Sequence, residues 1–163
     1  MNPNTLNLAQ AEENFQLFLF ELDDRQEDFI IAAEVKLFAL DYSLKSLPEL
    51  ERYVKEAQFN WEDKADAAVG QRLDCWTYLG EVMRQNHGGA WQLSWNDDNT
   101  ANRGQYVIAG HTATAGIEFT PLRLIRAFSQ RGKGGELIRA VQAQINPVRI
   151  DLSDLSDLSD LRD

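Results

Sequence analysis

Cysteine is almost missing from this chain. Cys75 is the only one in 163 residues, which excludes an internal disulfide and any metal site made of several thiolates. Histidine is nearly as scarce. His87 and His111 lie in separate regions, so the close pairs of zinc motifs such as H-E-x-x-H are absent and no metal or cofactor is called for. No apolar run approaches the roughly 20 residues a helix needs to cross a bilayer. The opening stretch, MNPNTLNLAQAEENF, has no basic start, apolar centre or small-residue cleavage site, so cytoplasm is the expected location. Basic charge is short as well: 16 Lys and Arg against 26 Asp and Glu leave a net charge of -10. That sign argues against non-specific nucleic-acid binding, which rests on cancelling phosphate charge.

What is present describes a globular protein. Hydrophobic residues make up 44% and charged residues 26%, an ordinary balance, and 16 aromatics can anchor a core. The charge is unevenly placed. Residues 1–66 carry 15 acids against 6 bases, whereas 121–150 carry 6 bases against the single acid Glu136.

The stretch YLGEVMRQNHGGAWQLSW, Tyr78 to Trp95, shows the fold class best. Trp76, Leu79, Val82 and Met83 keep a helical period, Gly88 and Gly89 supply a left-handed stop, and Trp91, Leu93 and Trp95 then alternate as in a half-buried strand. Four helices are expected before this junction. Leu8 to Leu22 form the first, and the Asp23-Asp24 pair caps a second that runs to about Asp41 with Phe29, Ile30, Ala33, Leu37 and Leu40 on one face. Ser46 and Glu49 have capping-box spacing for a third, with Pro48 in its first turn. The fourth begins near Asp63 or Asp66. Two strands, Ala90–Trp95 and Gln105–Ala109, follow, with Ile117–Phe119 as a short third. Thr120-Pro121 opens one further helix and Glu136 another. The expected fold is α+β: about four helices, a small antiparallel sheet and two C-terminal helices in one domain, 1–147. The repeat DLSDLSDLSDL builds no stable apolar face, so 148–163 is expected to be disordered or loosely docked.

Several side chains invite a chemical role and each has a plainer one. His87 closes a helix, where a cation suits the dipole. His111, beside Thr112 and Thr114, has reagents for acid–base chemistry but no supporting spacing, and reads as a solvated loop residue. Cys75, next to Trp76, reads as a buried inert thiol. Glu81 falls off the main apolar stripe and reads as exposed or as a capping partner, while Gly80 beside it marks a close approach by another backbone, that of the following strands. RGKGGE fails the P-loop pattern. It still offers an anion site, with Gly134 and Gly135 exposing N–H groups beside Arg126, Arg131 and Lys133.

LDYSLKSLPELERYV (Leu40–Val54) followed by YLGEVMRQNHGGAW resembles a family of small, uncharacterised bacterial α+β domains sharing an LDYS..SL..L segment, a YLGE helix and a Gly-Gly-x-Trp entry into a sheet. The resemblance covers roughly residues 30–145 and implies a scaffold with no assigned reaction. With no catalytic set, an aromatic-rich core and a strongly acidic N-terminal half, the expected function is non-enzymatic binding of another protein, immunity-like or as an accessory subunit, through Glu12, Glu13, Asp23, Asp24, Glu27 and Asp28, which suit a basic partner. The alternative is a phosphate-ligand or nucleotide binder, with enzymatic activity or without it, using turn 131–136, Arg126 and His111. Single-stranded nucleic acid stacking on Trp91 and Trp95 is a third, weaker option.

Overall fold

Phe15, Phe18, Leu22, Gln26, Phe29 and Ala33 follow one another at three- and four-residue steps, and all six are buried. In the computed structural model, which describes residues 3–95 and 100–145, this stripe lies on one helix, α1, Pro3–Val35. The expected break at Asp23-Asp24 does not occur. Both aspartates are exposed, and an unbroken buried stripe carries the helix through them. Three helices therefore precede the sheet, not four.

α1 also stops earlier than Asp41. Leu37 takes φ 68°, the Phe38 N–H reaches the Ala33 carbonyl at 2.9 Å, and the Leu37 N–H reaches that of Glu34 at 2.9 Å. This is the Schellman closure with leucine in the position that usually takes glycine. It turns Leu37 outward and lets Phe38 and Leu40 enter the core outside any helix.

A short 3-10 turn, Leu44–Ser46, leads into α2, Leu47–Ala57, with Pro48 in the first turn as expected. The capping box does not form. Ser46 Oγ donates to the Ser43 carbonyl at 2.6 Å and lies 2.5 Å from the Tyr78 hydroxyl, while Glu49 pairs with Arg52 at 2.6 Å. Helix α3, Asp66–His87, is the centre of the molecule and packs on α1, α2, α4 (Pro121–Arg131) and the sheet. Cys75, Tyr78, Leu79, Val82 and Met83 are fully enclosed, as befits a helix apolar on most sides.

Gly88 and Gly89, both at φ 87°, end α3 and start the sheet, as the sequence implies. The strands are β1 (Ala90–Leu93), β2 (Tyr106–Ala109) and β3 (Glu118–Phe119), antiparallel in that order. Trp91 pairs with Ile108, and Ile108 with Phe119. β1 is shorter than expected, and Trp95 beyond it is only half-buried, with Arg103 4.8 Å from its ring. After α4 comes α5, Glu136–Ile145. Expectations about 148–163 lie outside the described residues.

Candidate functional site

The three sequence segments behind the family resemblance meet in space. Tyr42 stacks on Tyr78 at 4.9 Å, and its backbone N–H donates to the Tyr78 hydroxyl at 2.9 Å. Two residues on, Gly80 lies under the indole of Trp91, so close that a Cβ there would clash with the ring carbons. The close approach at Gly80 is therefore made by the Trp91 side chain and not, as expected, by another backbone.

Glu81 is 2% exposed, contrary to the expectation of an exposed acid. Its carboxylate accepts the Trp91 indole N–H at 3.0 Å and two Arg84 donors at 2.6 and 3.0 Å. That bonding raises the Arg84 pKa, chiefly through the hydrogen bond to Glu81. Tyr42 is also pushed upward, first by burial and then by the Glu81 charge. A carboxylate that is fully bonded serves as a structural anchor for Trp91.

In the glycine-rich turn the backbone N–H groups are taken by a carboxylate of the chain itself. Glu51 of α2, 6% exposed, accepts the Gly135 N–H at 2.9 Å and the Leu137 N–H at 3.2 Å. It fills the N-terminus of α5, where backbone donors and the helix dipole favour negative charge. Arg126, Arg131, Lys133 and Gly134 are exposed. Arg126 lies 5.5 Å from the Trp61 ring centre.

The histidines differ from expectation. His111 is buried, with Nε2 3.1 Å from Gln144 Oε1 and its ring against Phe119, because Gly110 at φ 81° turns it inward from the loop. His87 does close α3, but burial and then the charge of His111 lower its pKa, which opposes the cation expected there. Its ring is only partly covered, yet Nε2 is enclosed with no hydrogen-bond partner among the described residues. Cys75 is buried, and burial pushes its thiol well up, leaving it a poor nucleophile. Among the described residues no group of three or more His, Cys, Asp or Glu could hold a metal ion.

Glu12, Glu13, Asp23, Asp24, Glu27 and Asp28 are all exposed along α1. Among the described residues none of the six makes an ion pair. Glu12 and Glu13 wall one side of a groove of about 630 Å³ between α1 and β1, with Trp91, Leu93 and Trp95 opposite. Burial of Trp91 removes it from any base-stacking surface.

Glu51 and Glu81 are the side chains whose roles sequence reasoning missed. A signal existed for each: Glu51 shares a helical stripe with Leu47, Leu50 and Val54, and Glu81 falls within the enclosed run CWTYLGEVM. Among the described residues no helix is long and apolar enough to cross a membrane. Comparison with protein-family models, with curated proteins and with solved structures found no match.

Proposed function

We propose that this chain is a non-enzymatic, cytoplasmic protein that binds a basic protein partner, as an immunity-like protein or an accessory subunit. The observation that carries the reading is the row of exposed acids along α1. Six carboxylates stand exposed on one long helix and, among the described residues, none of them forms an ion pair, although Asp23 acts on Arg84 at longer range, whereas buried Glu51 and Glu81 are fully bonded inside. Uncompensated surface charge of one sign speeds encounter with the opposite sign and adds less to final affinity.

The test is the triple reversal Asp24→Lys, Glu27→Lys, Asp28→Lys. A partner captured by the native chain from its source cell should associate with the variant at least tenfold more slowly at low ionic strength. The difference should shrink near 0.5 M salt, where screening reaches only a few ångströms. Equal association rates would remove the electrostatic basis of the reading. The phosphate-binding alternative at 131–136 requires a ligand to displace Glu51 from the Gly135 and Leu137 N–H groups, and no observation favours that exchange.

A further inference from the structure

α1 presents two apolar faces, and only one of them is used. Residues on a helix advance by about 100° each, so Leu17, Phe20, Asp24, Glu27, Ile31 and Val35 form a stripe opposite the buried Phe15, Phe18, Leu22, Phe29 and Ala33. The outward stripe is strongly exposed at both ends: Leu17 55%, Phe20 85%, Ile31 53% and Val35 79%. Its middle is acidic, with Asp24, Glu27 and the adjoining Asp28. The steps of three and four residues are those of a seam that accepts side chains from a second helix. From Leu17 to Val35 the stripe runs about 27 Å at about 1.5 Å per residue.

We infer that this stripe docks an amphipathic helix of a partner protein whose own seam has apolar residues at both ends and Lys or Arg between them. The inference deepens the partner-binding reading and rests on it. Charge decides the occupant. Antiparallel pairing with a second copy would match Leu17 to Val35 and Phe20 to Ile31, but it would set Asp24 against Asp28 and Glu27 of the copy. Parallel pairing would set each acid against itself. Like charges facing each other disfavour both. The chain's own segment 151–163, with five acids against one base, carries the wrong sign too. An anionic membrane surface is repelled by the same carboxylates. A cationic centre satisfies them, and the flanking Leu17, Phe20, Ile31 and Val35 gain the burial that they lack in the free chain.

The test uses the full chain and synthetic helical peptides of about 20 residues on an alanine-glutamine background. One has leucine ends and a lysine centre, a second has leucine ends and a glutamate centre, and a third is a scramble of the first. Fluorescence anisotropy should show binding of the lysine-centred peptide at least tenfold tighter than of the other two. Phe20→Ser with Ile31→Ser should weaken that binding at least tenfold. The triple reversal at Asp24, Glu27 and Asp28 should transfer preference to the glutamate-centred peptide. All five positions are exposed, so circular dichroism and Tm should stay unchanged. Equal binding of the three peptides would overturn the inference. So would insensitivity to Phe20→Ser with Ile31→Ser, dimerisation of the native chain lost in that double variant, or comparable binding to phosphatidylcholine vesicles. A natural partner that ignores the Phe20 and Ile31 changes but is lost on triple reversal would sink the stripe and leave the acidic-surface reading standing. A partner insensitive to both sets would sink both.

Discussion

At the scale of single residues, the positions that matter most are those where a small or charged group is enclosed by something much larger. Gly80 is the sharpest case. A methyl group there clashes with the Trp91 ring carbons, so Gly80→Ala must displace the indole and strain its hydrogen bond to Glu81. Alanine's better helix propensity returns about 1 kcal/mol, and overpacking takes more. The expected net loss is roughly 2 kcal/mol, read from urea denaturation. Adding Trp91→Phe should recover part of it by removing ring atoms from the clash; no recovery would mean the clash is not the cause. The need for glycine was legible in the sequence as an unfavourable residue inside a helix. That Trp91 is what covers it was not, because the pair meets only after the chain reverses at Gly88-Gly89.

At the scale of elements, local signals predicted ends better than interruptions. The Gly88-Gly89 stop, Pro48 and Pro121 in first turns, and the start of α5 at Glu136 all appear as expected. Asp23-Asp24 and Ser46–Glu49 failed as caps for different reasons. A cap acts only where the backbone has unpaired N–H groups, and the middle of α1 has none; at Ser46 the hydroxyl is engaged by the Ser43 carbonyl and Tyr78 instead. α5 shows the converse, since its cap is Glu51, 84 and 86 residues away in sequence from the amides it bonds. Glu51→Gln removes the charge and halves the accepting oxygens, so it should cost about 1–2 kcal/mol. The amides of Gly135 and Leu137 should then exchange hydrogen faster than those of α3. Unaltered exchange in α5 would show that the carboxylate does not hold it.

For the whole molecule, pH is the simplest probe of how the parts close on one another. His87 has its pKa lowered from 6.5 by burial and by His111. Above that value both folded and unfolded chains are neutral at this residue and it has no effect. As pH falls below 6.5 the unfolded chain takes up a proton that the folded chain resists, so stability declines until the folded pKa is passed. Asp74 acts in the opposite sense at lower pH: burial raises its pKa despite Arg25, so its folded form gains its proton first on acidification and its penalty is relieved. The urea midpoint should therefore drop between pH 7.5 and 5.5, and His87→Gln should flatten that drop. An identical pH profile in the variant would exclude His87 as its source.

The periodicity of the apolar residues and the glycines and prolines between them were enough to determine the α+β class, the helix-to-sheet junction and the acidic character of α1, because each is a local property of a short window. Only the tertiary structure decided which charges are used up inside. Glu51 and Glu81 look like any surface acid on their own helices; one is consumed by the start of α5 and the other by Trp91 and Arg84. The six acids of α1 stay exposed, and among the described residues none forms an ion pair. Long-range packing made that distinction, since whether a carboxylate stays available depends on donors that the chain brings to it from tens of residues away.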